Sequence, residues 1–413
     1  MHAFRFLVGL GLLAVAFPRG QADGEWPRWR GPNGTGVAEA KGLPVKWSLT
    51  DAAWRVSLPG SGHSSPVIWG ERLFVTAADP QAGELNLVCL NSRDGRLLWT
   101  RAFPLPKYPL HRYNALATST PATAGQRVFV TRIEGPSLHL TALDDQGGRL
   151  WDFDAGPFET QHGMGHSPIV VDDLVILAND QDLAGFIVAL EVRTGRERWR
   201  ATRSPGRADY STPCVWASAA GQRYLIHNTG EDGVGALDLR DGQPFWTAKD
   251  VLDKRSVSSP VLVGDVILGS CGSGGGGNYL IAVRPPTGAA REPVVAWEMR
   301  RSAPYVPTSV AVGDLAFLWG DGGIVTCVEA SSGKVHWQER VGGNHFSSPV
   351  SADGKVYGTS TEGQVTVLAA SSEYRLLGRS TVGEATHATP AIAHDRLFFR
   401  TLTHVMAVGK TDD

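Results

Sequence analysis

From residue 51 onward, short apolar runs alternate with breaks of Gly, Asp, Ser and Pro, and no long helical pattern interrupts them. Leu73-Phe74-Val75, Leu85-Asn86-Leu87-Val88-Cys89-Leu90 and Leu97-Leu98-Trp99 follow one another in that manner. The order returns as Val128-Phe129-Val130 before Trp151, Val175-Ile176-Leu177 before Trp199, and Leu225-Ile226 before Trp246. Apolar runs of this length, bounded by turn residues, predict strands. Asp94-Gly95, Thr194-Gly195, Asp241-Gly242 and Ser332-Gly333 stand where hairpins must turn, and glycine supplies the positive φ such turns need without a steric cost.

Each unit opens on a Ser/Thr-Pro step or a weaker copy of it. The prolines at 66, 121, 168, 213, 260, 307, 349 and 390 are 41 to 55 residues apart. That period holds four short strands and three turns, the signature of a β-propeller. The seventh unit ends at Leu376-Leu377 where a tryptophan is expected, and the eighth stops at Val405-Met406-Ala407-Val408 without a fourth strand. Trp54 precedes Pro66 by 12 residues, as Trp337 precedes Pro349. The expected fold is therefore all-β: an eight-bladed propeller of four-stranded blades, closed by an N-terminal strand around Trp54 that completes blade eight and removes exposed edges. The repeated tryptophan falls on the outermost strand, where it packs one blade against the next.

This pattern divides the chain. Residues 1–22 carry an apolar run of 12 residues from Phe6 to Phe17 followed by small residues. The run is shorter than the roughly 20 residues that span a bilayer, so a cleaved secretory signal, a periplasmic or secreted location and no membrane span in the mature form are expected. Residues 23–50 form a Pro/Gly/Trp-rich arm that opens on Trp26-Pro27-Arg28-Trp29-Arg30-Gly31-Pro32. An arm docked on the propeller with partly buried indoles is expected, a partner-binding segment being the other reading. The propeller occupies 51–409 and a tail 410–413. Closure through Trp54 predicts that removing 23–45 spares the ring, whereas removing 23–56 breaks it.

A formal charge of -2 provides no global field for nucleic acid or an anionic membrane surface, and a monomer that recognises a protein partner or small ligand locally is expected. Cys89, Cys214, Cys271 and Cys327 form no CxxC pair, which argues against a zinc ribbon or a thioredoxin-like site; Cys214 and Cys271, on neighbouring blades, leave a disulfide to be tested. Gly272-Ser273-Gly274-Gly275-Gly276-Gly277 lacks the Gly-Lys-Ser/Thr of a phosphate loop and reads as a hairpin.

Candidate chemistry collects in the loops that run from each Trp strand to the next Ser-Pro strand, all on one face. His63, His162, His166, Asp209, Tyr210, Arg255, Tyr305, His345 and His387 stand there, with Glu384 beside the last. Imidazoles converging on a channel suit a metal or an anionic cofactor; the alternative is that each caps its own loop. No catalytic motif and no metal-ligand spacing stands out. The run Arg193, Arg196, Arg198, Arg200, Arg203 and Arg207 suits a solvated face or an acidic partner.

The repeat, seen in Ala236-Leu237-Asp238-Leu239-Arg240-Asp241-Gly242-Gln243-Pro244-Phe245-Trp246, resembles the PQQ-like (pyrrolo-quinoline quinone) β-propeller family over about Asp51 to Gly409. The resemblance points to two branches. One is the outer-membrane assembly factor BamB, which implies a non-catalytic scaffold without a cofactor. The other comprises quinoprotein dehydrogenases, which implies PQQ, calcium and an oxidoreductase. The chain lacks both the vicinal cysteine pair of the dehydrogenases and the acylated cysteine of the assembly factor. A scaffold is the expected function, and a quinoprotein-like oxidoreductase on the histidine-lined face is the alternative.

Overall fold

The computed structural model describes residues 25–410 apart from 108–109, 183–184, 288–289 and 291; the expected leader at 1–22 lies outside the described residues. Eight four-stranded antiparallel sheets form the blades of a ring, and among the described residues helix is confined to short 3-10 turns. Blade 1 is built of Val67–Trp69, Arg72–Asp79, Glu84–Asn91 and Leu97–Pro104. Blade 8 takes Ala391–Ala393, Arg396–Arg400 and His404–Gly409 from the end of the chain and Ala52–Ser57 from its beginning. Trp54 pairs with Ala407 and Val56 with Val405, so the two ends close one sheet as expected.

The tryptophans seal the seams by one repeated contact. Trp54 lies against Gly95 of the next blade and its indole N–H donates to the Ser92 carbonyl. Trp99 does the same with Gly147 and Asp145, Trp151 with Gly195 and Val192, and Trp199 with Gly242 and Leu239. A Cβ at Gly95 would sit 2.7 Å from the indole. The glycine is thus required twice, by its φ of 74° and by the ring lying on it.

In the seventh blade Gly378 stands opposite Val367, the place Trp337 occupies opposite Cys327 one blade earlier. The arm fills the gap. A Cβ at Gly378 would lie 2.0 Å from the Val45 carbonyl oxygen, and Trp47 follows, its amide donating to Ser380 Oγ at 2.8 Å and its indole to the Thr381 carbonyl at 3.2 Å.

A second ring runs around the axis. In seven of the eight blades the residue two positions before the inner strand donates its amide to the hydroxyl of its neighbour: Ser65 to Thr120, Thr120 to Ser167, Thr212 to Ser259, Ser259 to Thr308, Thr308 to Ser348, Ser348 to Thr389, and Thr389 back to Ser65. This corrects the reading of blade 6. Val310 pairs with Phe317 as Val67 pairs with Phe74, so Ser309, not Pro307, stands in the repeat's proline position. The hydroxyl of Thr308 keeps the ring bond there, and Pro307 stands two residues before the repeat's proline position.

The arm crosses the channel near the hairpin end of the inner strands. Trp26 is fully buried and bridges Ile68 of blade 1; the Pro27 carbonyl accepts from Thr123 of blade 2. Arg28 donates to the Pro213 carbonyl and Asn33 pairs with Val215, both of blade 4. Arg30 bonds the Thr308, Ser309 and Pro349 carbonyls of blades 6 and 7. Trp29 is half-buried. An arm tied to blades on opposite sides of the ring changes the expectation for deleting residues 23–45: the loss is no longer local to a tail, because these buried bonds span the axis.

Cys214 and Cys271 are free thiols in one apolar cluster, not a disulfide, and burial pushes the Cys214 thiol up to about 12.

Candidate functional site

At the other end of the channel, the loops that lead into the inner strands form a continuous face. Their carboxylates are turned onto the chain's own backbone. Asp209 accepts from the Ser256 amide at 2.5 Å and the Gly230 amide at 3.1 Å; Asp321 accepts from the amides of Tyr305 and Val306 at 2.7 and 3.0 Å. Burial, with the charge of Asp180 adding to it, pushes Asp209 up to about 8.

The expected site residues fall into separate groups. His162, His166, Asp209, Tyr210, Arg255 and Tyr305 gather beside blades 3 to 5: an Arg255 guanidinium N–H donates to His162 Nε2, its Nε donates to the Ala208 carbonyl, and the Tyr210 ring lies 5.4 Å from that of His166. His166 Nε2 sits 3.1 Å from the carbonyls of Asp180 and Asp209. His63 and His387 stack at 4.2 Å beside blades 8 and 1. His345 stands apart, both ring nitrogens on the carbonyls of Thr359 and Gly342. Burial first of all holds His63, His162, His166, His345 and His387 below the usual imidazole range, His63 down to about 3 with the charges of His387 and Arg400 adding to it. Held low, these imidazoles favour the neutral form; His166 and His345 cap their loops, the neutral His345 ring donating to only one of its two carbonyls.

The loop between blades 1 and 2 joins the groups. His111 meets His162 edge-on at 4.7 Å in the loop between blades 2 and 3, and Tyr113 meets Phe346 at 5.4 Å in the loop between blades 6 and 7. Those two loops lie four blades apart, on opposite sides of the ring. The loop therefore passes over the axis, held also by His387 Nδ1 at 3.1 Å from the Tyr113 carbonyl and by Asn114 on the His162 carbonyl at 2.7 Å. Its crest is exposed: Leu110 at 40%, Arg112, and Tyr113 at 49%, with the Arg112 guanidinium 4.5 Å from the Tyr113 ring.

The donor set does not fit a calcium ion, which takes roughly six to eight oxygen ligands. Asp209 and Asp321 are each engaged by two backbone amides, while Glu384 accepts from Thr401, Thr403 and His404. Among the described residues no group of three or more His, Cys, Asp or Glu is placed to hold a metal.

Sequence reasoning passed over Tyr113, which lies outside the repeat, and Arg400. The latter left a signal: Arg400 stands two residues beyond the partner of its inner strand's first residue, where blades 1, 2, 5 and 7 have Thr76, Thr131, Ser270 and Thr359.

Among known proteins, a family model described as "Outer membrane protein assembly factor BamB" matches residues 50–291 and 278–412. A polyvinylalcohol dehydrogenase from Pseudomonas sp is 24% identical over 284 residues, 58% of this chain and 42% of that protein, so the match spans less than half of the relative's length. BamB from Moraxella catarrhalis superposes with a TM-score of 0.61 at 16% identity over 88% of this chain and 98% of that one. A quinohemoprotein alcohol dehydrogenase from Comamonas testosteroni does so with a TM-score of 0.62 at 14% identity, covering 94% and 81%. At these identities the structural likeness bears on the fold alone.

Proposed function

This chain belongs to the propeller family described as outer membrane protein assembly factor BamB, and from that premise we propose that it is a non-catalytic, periplasmic or secreted scaffold that binds a protein partner on its loop face. The observation that carries this reading is the crest over the axis, where Leu110, Arg112 and Tyr113 stand exposed on a loop anchored to opposite sides of the ring. Tyrosine and arginine are the residue types that anchor protein interfaces, and a tethered loop loses little freedom on binding. His162 and His387 beneath it support the loop. No helix among the described residues is long and apolar enough to cross a membrane, and the family's description places its namesake at the outer membrane.

The dehydrogenase reading rests on the relatives' names, and the carboxylates' engagement with backbone amides disfavours its calcium. The test joins two measurements. A photo-crosslinking residue at Tyr113 is expected to give one discrete adduct in the native host, while the same residue at Val335 on the outer rim gives none. Calorimetry with PQQ and calcium is expected to show no saturable heat up to about 1 mM, a limit near -4 kcal/mol. One-to-one binding abolished by His63→Ala/His166→Ala/His345→Ala, with no adduct at Tyr113, overturns the proposal.

A further inference from the structure

At the register where blades 2 and 5 pair two hydroxyls at the top of the inner strand, blade 8 holds a buried cation. Ser64 Oγ accepts from the Thr76 amide in blade 1; Ser119 pairs with Thr131 in blade 2 and Ser258 with Ser270 in blade 5. The corresponding residues of blade 8 are Ala388 and Arg400. Arg400 is 1% exposed. One guanidinium nitrogen, Nη2, donates to the Thr76 carbonyl at 3.1 Å across the seam to blade 1, whereas Nε and Nη1 are buried with no acceptor at hydrogen-bond distance.

Its charge is not matched by an ion pair. Glu384 acts on it through space, but the carboxylate oxygens of Glu384 are taken by Thr401, Thr403 and His404. Burial draws Arg400 down to about 9, which still leaves it protonated at neutral pH. Beside it His63 stacks on His387, with the Gly62 carbonyl alongside its ring and Nδ1 buried without an acceptor in hydrogen-bond geometry. A buried, half-satisfied guanidinium is costly unless a negative partner completes it.

We infer that Arg400 and His63 form a binding site for a small anion, between a halide and a monocarboxylate in size, at the seam of blades 8 and 1. Nε and Nη1 of Arg400 supply charge-assisted donors and His63 Nδ1–H a third. Gly62 packs between these groups: a Cβ there would lie 2.7 Å from Ala117 Cβ and 2.9 Å from Arg400 Nη2. Ala117 belongs to the root of the loop that crosses the axis and accepts the amides of His63 and Ser64 on its carbonyl, so an anion here stiffens the attachment of that loop. The site stands independently of the scaffold reading.

Crystals of the full chain grown in sodium bromide are expected to show an anomalous peak within hydrogen-bonding range of Arg400 Nε or Nη1. In solution, at constant ionic strength, saturating bromide is expected to raise the melting temperature by about 1–3 °C. Arg400→Met and, should that variant fold poorly, His63→Gln are each expected to lose that rise. Formate and succinate distinguish the sources: a response to bromide and formate but not succinate assigns a free small ion, and a response to succinate with none to bromide assigns the carboxylate of a larger ligand. No peak at Arg400, or the same rise in both variants, overturns the site.

Discussion

Two segments of this chain cross the propeller axis, and they are built in opposite ways. The N-terminal arm crosses near the hairpin end with fully buried Trp26 and Arg30, the latter bonded to carbonyls of blades 6 and 7. The loop between blades 1 and 2 crosses at the other end by ring contacts and leaves Leu110 and Tyr113 exposed. A buried guanidinium whose nitrogens all meet carbonyls, as in Arg30, holds a structure together, whereas exposed aromatic and apolar side chains on an anchored loop are how it meets something else. The arm therefore belongs to stability and the loop to recognition.

The contrast breaks most readily at the arm. Deleting residues 23–45 is expected to lower stability by more than about 5 kcal/mol, since Trp26 alone contributes on the order of 3 to 5 kcal/mol and the carbonyls left by Arg30 lose their donors. Urea denaturation of the full chain against the deletion measures it; a loss below about 1 kcal/mol would place the arm with the peripheral segments. The seam of blades 7 and 8 is the finer version. Trp47→Ala is expected to cost about 3 kcal/mol, the same as Trp337→Ala, because both indoles donate to a carbonyl in a blade seam. A negligible loss at Trp47 alone would show that Gly378 is tolerated for some other reason.

The ring was legible in the sequence because its residues repeat. Trp54 matched Trp337 in spacing and character, and its pairing with Ala407 closes blade 8. The arm was read as docked from its two tryptophans, but its span was not, because bonds from Arg28 and Arg30 to carbonyls of blades 4, 6 and 7 depend on three-dimensional placement. Pro307 misled for a related reason: proline marked the repeat in the other units, while the hydroxyl one residue before the proline position carries the ring bond, and blade 6 keeps only the hydroxyl, as Thr308. At the loop face, residue type located the histidines but not their state. Whether an imidazole is a ligand or a cap depends on which carbonyl it meets, and His345 meets two. Arg400 went unread because a charged residue in an apolar strand has meaning only beside the hydroxyls at the same register.

Acid is expected to act on the loop face before it acts on the arm. His63 is held down at about 3, chiefly by burial, against an ordinary value of 6.5. The unfolded chain therefore binds a proton there that the folded chain refuses, so stability is fully present above pH 6.5 and is lost as pH falls toward 3. The loss from this group between pH 7 and 4 is about 3 kcal/mol at most. His63→Asn is expected to melt with a flatter pH profile over that window. An unchanged slope would move the acid sensitivity to His162, His166 or His387, which are shifted in the same direction.

The smallest expected effect on stability is also the sharpest division between the two crossings. Tyr113 is half exposed, its ring touching Phe346 and carrying Arg112 on its face, and the bond that anchors its segment to His387 uses its backbone carbonyl. Tyr113→Ala keeps that carbonyl and removes the exposed ring, so a loss within about 1 kcal/mol is expected. The same change is expected to weaken binding of the partner by at least tenfold, since truncating an aromatic anchor at the centre of an interface typically costs about 2 kcal/mol or more. Affinity measured with the partner identified by crosslinking, alongside the melting curve of the free variant, separates the two effects. If Tyr113→Ala instead lowers stability as much as Trp47→Ala and leaves affinity unchanged, the loop is a second structural tie, and recognition must be sought on the rim.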